Sequence, residues 1–284
     1  MSFIPHISPQ DFHRTHSLLR EFFLAKNFVE VHTQNRLSIL AACEDPNTIA
    51  SYTYAGQVWP LPQTGQMWLE HELLRNPELP GVFCLSTSYR HEKSPIKGRH
   101  NLIFPMFEFE TRGTMDDMRQ LEGELLEYLG FGARDSFPGG RWDDVAAHYQ
   151  TDDIDSTIEG RIEKEYGSAF FLSHFPERTS PFWNMASENG IARKIDVLLF
   201  GCETIGSAER SCDVQEMRHL FYSISNGGYA SILFDKFGKD RVEKELNEFL
   251  SYDFFPRFGG GIGMTRMIRA LELLEGRNNL RKAS

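Results

Sequence analysis

Two apolar spacings alternate along the chain, and the switches between them mark out its elements. From Ser8 to about Lys26, residues Phe12, Leu18, Leu19, Phe22 and Phe23 recur at helical spacing, with Ser8 and Pro9 as cap and first-turn residue. "FVEVHT" then alternates apolar and polar positions as a strand does. "ASYTYAGQVWPL" is strand-like, with Ala55 and Gly56 placed to turn the chain. "GQMWLEHELLR" is helical in pattern and stops near Asn76 and Pro77. "GVFCLSTSYRHE" reads as a strand entering a basic loop, and "IFPMFEFET" as the strand that returns from it. Thr114 caps the amphipathic helix predicted for "MDDMRQLEGELLEYLGF".

From 132 to 180 the pattern is weaker: a Gly/Pro loop, the acidic "TDDIDS", a short helix around 157 to 166 and the strand "AFFLSHF". Beyond it, "KIDVLLFGCETIG" reads as one strand, while "DVQEMRHLFYSIS" and "DRVEKELNEFLSYDFF" read as helices. "PRFGGGIGMTRMIRALELLEG" is a glycine-rich strand or turn opening into a helix. Neither an internal repeat nor a Pro/Ser linker divides the chain. A single domain over 1–284 follows, with a small insertion or helical appendage at about 132–180.

Composition narrows the class. A hydrophobic share of 40% and a charged share of 25% suit a globular protein able to bury a large core. The net charge of −10 argues against broad, sequence-independent nucleic-acid binding. Apolar runs such as "VLLF" fall far short of the roughly 20 residues of a membrane span, and the start carries no secretory pattern, so no membrane partner is expected. Cys43, Cys84, Cys202 and Cys212 show no CxxC spacing, which points to reduced thiols in the cytoplasm and no zinc site.

Against that acidic background, Arg90, His91, Lys93, Lys97, Arg99 and His100 crowd one short hairpin. Charge alone allows two readings: a solvated turn balancing nearby carboxylates, or a set of cations facing an anionic ligand. In the second, Arg90 leaves its strand as a bidentate fork for a phosphate, and an aromatic on the return strand stacks on a base. The far end of the chain adds Gly259, Gly260, Gly261 and Gly263 ahead of Arg266. Such a strand-to-helix turn suits a nucleotide but serves structure as often. It is neither a P-loop nor a dinucleotide fingerprint.

Taken together and in order, these segments resemble the catalytic core of class II aminoacyl-tRNA synthetases, in the aspartyl/asparaginyl subgroup. "LLREFFLAKNFVEVHTQ" resembles the first motif, "YRHE" with "RHNLIFPMFEFE" the second, and "GGGIGMTR" the third. Gln34 stands where the family has Pro, a departure that touches the dimer interface. The fold implied is α/β (α+β), a mostly antiparallel sheet of about six strands flanked by helices, with a homodimer formed through residues 8–35. ATP and Mg²⁺ are the implied cofactors. Arg90 would grip the α-phosphate, Glu92 read the adenine amino group, Phe104 and Arg266 sandwich the purine beside Gly263, and Arg99 or His100 hold the outer phosphates. Arg90 and Arg266 are thereby the catalytic residues. In "DVLLFGCETIGSAER", Asp196 and Glu203 match the metal-side acids, and Gly206 stands where aspartyl enzymes carry Ser.

The resemblance also implies an amino-acid site. Arg210 would meet the substrate's side chain, Glu108 its ammonium, and Gln66 its carboxylate end. Aspartate users carry Lys three residues after that Gln, where this chain has Leu69, while Gly65, Gln66 and Glu70 fit the asparagine pattern. A β-carboxylate between Arg210 and Glu70 would be repelled, whereas an amide donates to one and accepts from the other, so asparagine is favoured over aspartate. No anticodon-binding domain precedes the first motif, as in stand-alone paralogues such as the archaeal asparagine synthetases. An AMP-forming ligase acting on an asparagine- or aspartate-like amino acid and a small acceptor is expected. Aminoacylation of tRNA, aspartate–ammonia ligation and a non-catalytic regulatory role stand as alternatives.

Overall fold

The computed structural model describes residues 6–33, 37–40, 45–92, 101–179 and 182–283. Arg99, His100, Gln34 and Cys43 lie outside the described residues.

Local chemistry explains most element boundaries. Helix α1 (Pro9–Ala25) starts where Ser8 Oγ accepts the Asp11 amide, and β1 (Val29–Glu30) follows Asn27, whose φ is 62°. Strands β2 (Ser51–Tyr54) and β3 (Gln57–Pro60) form a separate hairpin. Ala55 and Gly56 close it, both at positive φ as a primed two-residue turn requires. Helix α2 (Gln66–Arg75) ends just before Pro77, ahead of the long strands β4 (Gly81–Tyr89) and β5 (Ile103–Arg112). Helix α3 (Met115–Tyr128) begins with Asp117 accepting both the Thr114 amide, at 2.8 Å, and its hydroxyl, at 3.0 Å.

The next segment contains β6 (Gly139–Arg141), α4 (Trp142–Tyr149), α5 (Ser156–Tyr166) and β7 (Ala169–Pro176). After β8 (Ser187–Glu188), β9 (Ile191–Leu199) and β10 (Glu203–Arg210) come α6 (Val214–Ser223), α7 (Gly228–Phe237) and α8 (Lys239–Phe249). Strand β11 (Arg257–Gly263) runs directly into α9 (Met264–Ala283).

One expected strand proves to be two. The apolar run of "KIDVLLFGCETIG" hides a reversal at Phe200 and Gly201, both left-handed with φ of 48° and 65°. This turn lies against α5, where a Cβ on Gly201 would sit 3.2 Å from Gly160 Cα, so the bend is held by packing that local pattern does not reveal.

Six long strands form a continuous antiparallel series, β4-β5-β11-β10-β9-β7. Short β1 and β6 join its two margins in parallel, and β8 pairs with β9. The expected sheet is therefore present, with small strands added. Alternation gives the sheet two different faces. Phe107, Phe109, Phe171, Val197, Ile205 and Ile262 pack under α1, α3 and α9 in one apolar core. Phe23 anchors it, its ring 5.1 Å from Phe109 and 5.3 Å from Phe107. Burying one such side chain contributes about 1.5–3 kcal/mol, so this face fixes the sheet rigidly. On the opposite face α2 and the cluster built on α6, α7 and α8 cover one end. Helices α4 and α5 cover the other, packed on Phe170, Leu172 and Leu198.

Candidate active site

Between those two covers lies a polar strip, which strand alternation alone puts there. Phe104, Met106, Glu108 and Glu110 of β5 share the face opposite Phe107 and Phe109. In β11 the matching positions are Gly259 and Gly261. A Cβ on Gly259 would fall 1.7 Å from Glu110 Oε2, and one on Gly261 2.6 Å from Met106 Cε. Glycine here keeps a floor of bare backbone beneath a cleft.

At one end of the cleft, Arg90, Glu92, Phe104, Glu203, Gly263 and Arg266 line a cavity of about 260 Å³. The Arg90 guanidinium stands 5.4 Å from the Phe104 ring centre, and its Nε is buried without a hydrogen-bond partner among the described residues. Arg266 Nη1 donates to the Glu203 carbonyl at 2.7 Å and lies 3.7 Å from that residue's carboxylate. Residues 175 positions apart in the chain thus face one space with aromatic, cationic and acidic groups. Asn101, Thr204 and Thr265, which the sequence reading did not single out, also line it.

A second cavity of about 230 Å³ continues from the first, sharing Arg90, Met106, Glu203 and Gly206 and adding Gln66 and Arg210. Gln66 Nε2 donates to the Gly260 carbonyl at 2.8 Å, and its Oε1 accepts from Arg210. Met185 and Lys194 complete one side; neither was anticipated. Two expected residues are not among those lining either cavity. Glu108 is fully buried and accepts from Thr64 Oγ1, Ser86 Oγ and the Gly65 amide. Burial raises its carboxyl above the ordinary range, against the pull of those three donors. Glu70 is also buried, not solvent-facing, and accepts from Arg257 and Asn184.

Glu110 is the acid that actually grips Arg210. Nε and Nη2 of the guanidinium donate to its two oxygens at 3.3 Å and 3.2 Å. Burial pushes the Glu110 carboxyl up to about 7, with Arg210 pulling against the shift. The period-two pattern from Phe104 could have flagged Glu110. For Arg257 and Asn184, no local signal exists.

Asp196 and Glu203 stand on neighbouring strands on either side of Gly206. A Cβ there would lie 3.4 Å from Asp196 Oδ1 and 3.1 Å from Glu203 Oε1. Asp196 Oδ1 is buried without a hydrogen-bond partner, while Oδ2 accepts from Lys194 at 2.9 Å. Burial pushes this carboxyl up to about 7; Lys194 opposes the shift and the Glu203 charge adds to it. An orphaned oxygen facing a second acid across a glycine fits a hard divalent cation that takes its other ligands from phosphate or water. Among the described residues no cluster of three or more His, Cys, Asp or Glu side chains could hold a metal alone.

This fold is shared with synthetases of known structure. Asparaginyl-tRNA synthetase from Pyrococcus horikoshii, solved with asparaginyl-adenylate, superposes with a TM-score of 0.76 at 20% identity, over 92% of this chain and 64% of that one. The Entamoeba histolytica asparaginyl-tRNA synthetase with asparaginyl-adenylate gives 0.70 at 18%, over 92% and 63%. A putative aspartyl-tRNA synthetase from Leishmania major Friedlin gives 0.71 at 17%, over 92% and 61%. This chain thus spans under two thirds of each relative. Residues 10–284 match the family of class II tRNA synthetases (D, K and N), and the chain belongs to that family.

Proposed function

We propose that this chain is an ATP-dependent, AMP-forming ligase. It adenylates the carboxylate of an asparagine- or aspartate-like amino acid and transfers the acyl group to ammonia, an amine or another small acceptor. The observation that carries this reading is the joint lining of one cleft. Phe104, Arg90, Glu92 and Arg266 stand at a nucleotide-sized end, and Gln66 and Arg210 at an amino-acid-sized end. The asparaginyl-adenylate held by two relatives of the same fold is the kind of intermediate such a cleft would contain.

The chemistry asks for positioning and charge, not for a protein nucleophile. The substrate carboxylate attacks the α-phosphorus and pyrophosphate leaves, so negative charge builds on the phosphoryl oxygens. Arg90, with an unpartnered buried Nε, is placed to donate to the α-phosphate, and Arg266 to close over the purine opposite Phe104. Glu92 is placed to accept from the adenine amino group. Asp196 and Glu203 would hold Mg²⁺, which draws charge from the phosphate oxygens when bound. A homodimer through residues 8–35 belongs to the same reading.

ATP–pyrophosphate exchange across the twenty amino acids tests it, followed by ammonia, hydroxylamine and total tRNA as acceptors. Exchange with no amino acid would overturn the ligase reading. Charging of tRNA without turnover on small acceptors would replace it with the aminoacylation reading that the family's own description favours.

A further inference from the structure

The strand register sets two buried arginines side by side: Arg210 of β10 lies directly opposite Arg257 of β11. Two like charges so placed need acids between them. Glu70 supplies one, and the way it is bound bears on what the cleft can recognise.

Arg257 Nη2 and Nε donate to Glu70 Oε2 at 2.6 Å and 3.2 Å, and Arg257 Nη1 donates to the Ser211 carbonyl at 3.2 Å. Asn184 Nδ2 donates to Glu70 Oε1 at 2.8 Å. Glu70, Arg257 and Asn184 are all 0% exposed, so both carboxylate oxygens are spent on buried donors. An amide substrate needs an acceptor for its NH₂ group, whereas a carboxylate needs only donors. The nearest candidate acceptor behind Arg210 is thus already engaged. What the described wall of the amino-acid end does present, at Arg210 and Lys194, is donors.

Building on the ligase reading, we propose that Arg257 is a specificity-determining positioning residue: by engaging Glu70 it turns the amino-acid end toward substrates whose far end is a carboxylate and away from amides. The expectation of an asparagine preference assumed that Glu70 reads the substrate, and the geometry withdraws Glu70 from that task. Glu110 supports the shift. Its carboxyl is already pushed up to about 7 by burial, so it accepts a proton readily when a second anion approaches Arg210. Arg257 touches no substrate in this scheme and acts by holding Glu70.

Titration calorimetry on the whole chain decides the matter, with ATP, aspartate and asparagine as probes. Wild-type protein should bind aspartate about tenfold or more tighter than asparagine, the scale expected of one misplaced charge or unpaired polar group. Arg257→Leu should release Glu70 and shift that ratio toward asparagine by about tenfold or more, while Arg257→Lys should stay near wild type. A merely structural Arg257 would weaken both ligands together and leave the ratio unchanged, which overturns the proposal. A wild-type preference for asparagine overturns it as well, even if Arg257→Leu does not fold. Failure of the wild type to bind ATP would instead remove the ligase reading, so the two failures are distinct.

Discussion

Arg210 and Glu110 form a two-pronged ion pair inside the sheet face, with side-chain exposures of 3% and 0%. Removing one member of such a pair strands the other without water. Glu110→Ala should therefore cost about 3–5 kcal/mol in urea unfolding at neutral pH, and Glu110→Gln, which keeps an acceptor for Arg210, distinctly less. Equal losses for both variants would show that the pair does not hold Arg210.

Arg90 and Arg266 offer the most direct functional check. Each is placed where charge would develop on a phosphoryl group, and removing one such donor elsewhere costs about 10²–10³ in rate. Arg90→Ala and Arg266→Ala should lower ATP–pyrophosphate exchange by at least that factor with little change in melting temperature. Near wild-type exchange would take the nucleotide away from this end of the cleft.

Two glycines should respond to alanine in opposite directions. At Gly259 the new Cβ collides with the Glu110 carboxylate and the Phe109 carbonyl, so Gly259→Ala should destabilise strongly and remove exchange activity. At Gly160, inside α5, a Cβ meets nothing within 4 Å. Gly160→Ala should raise stability by about 0.5–1 kcal/mol through helix propensity alone. Thermal melting of both variants reads the contrast.

Glu122 sets a pH dependence. Buried on α3, it accepts from the Ser207 hydroxyl at 2.6 Å through one oxygen, while the other has no hydrogen-bond partner among the described residues. Burial pushes its carboxyl from 4.5 up to about 8. The unfolded chain therefore ionises this group near 4.5, while the folded chain keeps the proton until about 8. Its contribution falls as pH rises across that window and is level beyond it. Glu122→Gln cannot titrate, so its melting-temperature gain over wild type should grow from about pH 5 to about pH 8. A gain that stays flat would mean that the folded protein already carries an ionised Glu122.

How much could be read beforehand follows from the range of each interaction. The caps at Ser8 and Thr114, the turn at Ala55 and Gly56, and the stop at Asn76 are set by residues within four positions, and each appears where the pattern put it. Helices α4 and α7 and strand β6 escaped notice, as did the reversal at Phe200 and Gly201. Their stability comes from packing on distant elements, Trp142 and Val145 on Phe170 and Tyr229 beside Trp183. Among site residues, Arg90, Glu92, Phe104, Glu203, Gly263 and Arg266 could be named because contiguous motifs carry them, and they do line one cavity.

The chain's own order of residues was enough to determine a capped, two-faced antiparallel sheet with a cation-rich, glycine-floored cleft, because periodicity and turn chemistry act over a few residues. Only the folded molecule decided who holds whom in the amino-acid end. Glu70 meets Asn184 across 114 positions and Arg257 across 187. In a buried, low-dielectric face every charge must find a counter-charge, and the partner is whichever group the strand register brings there.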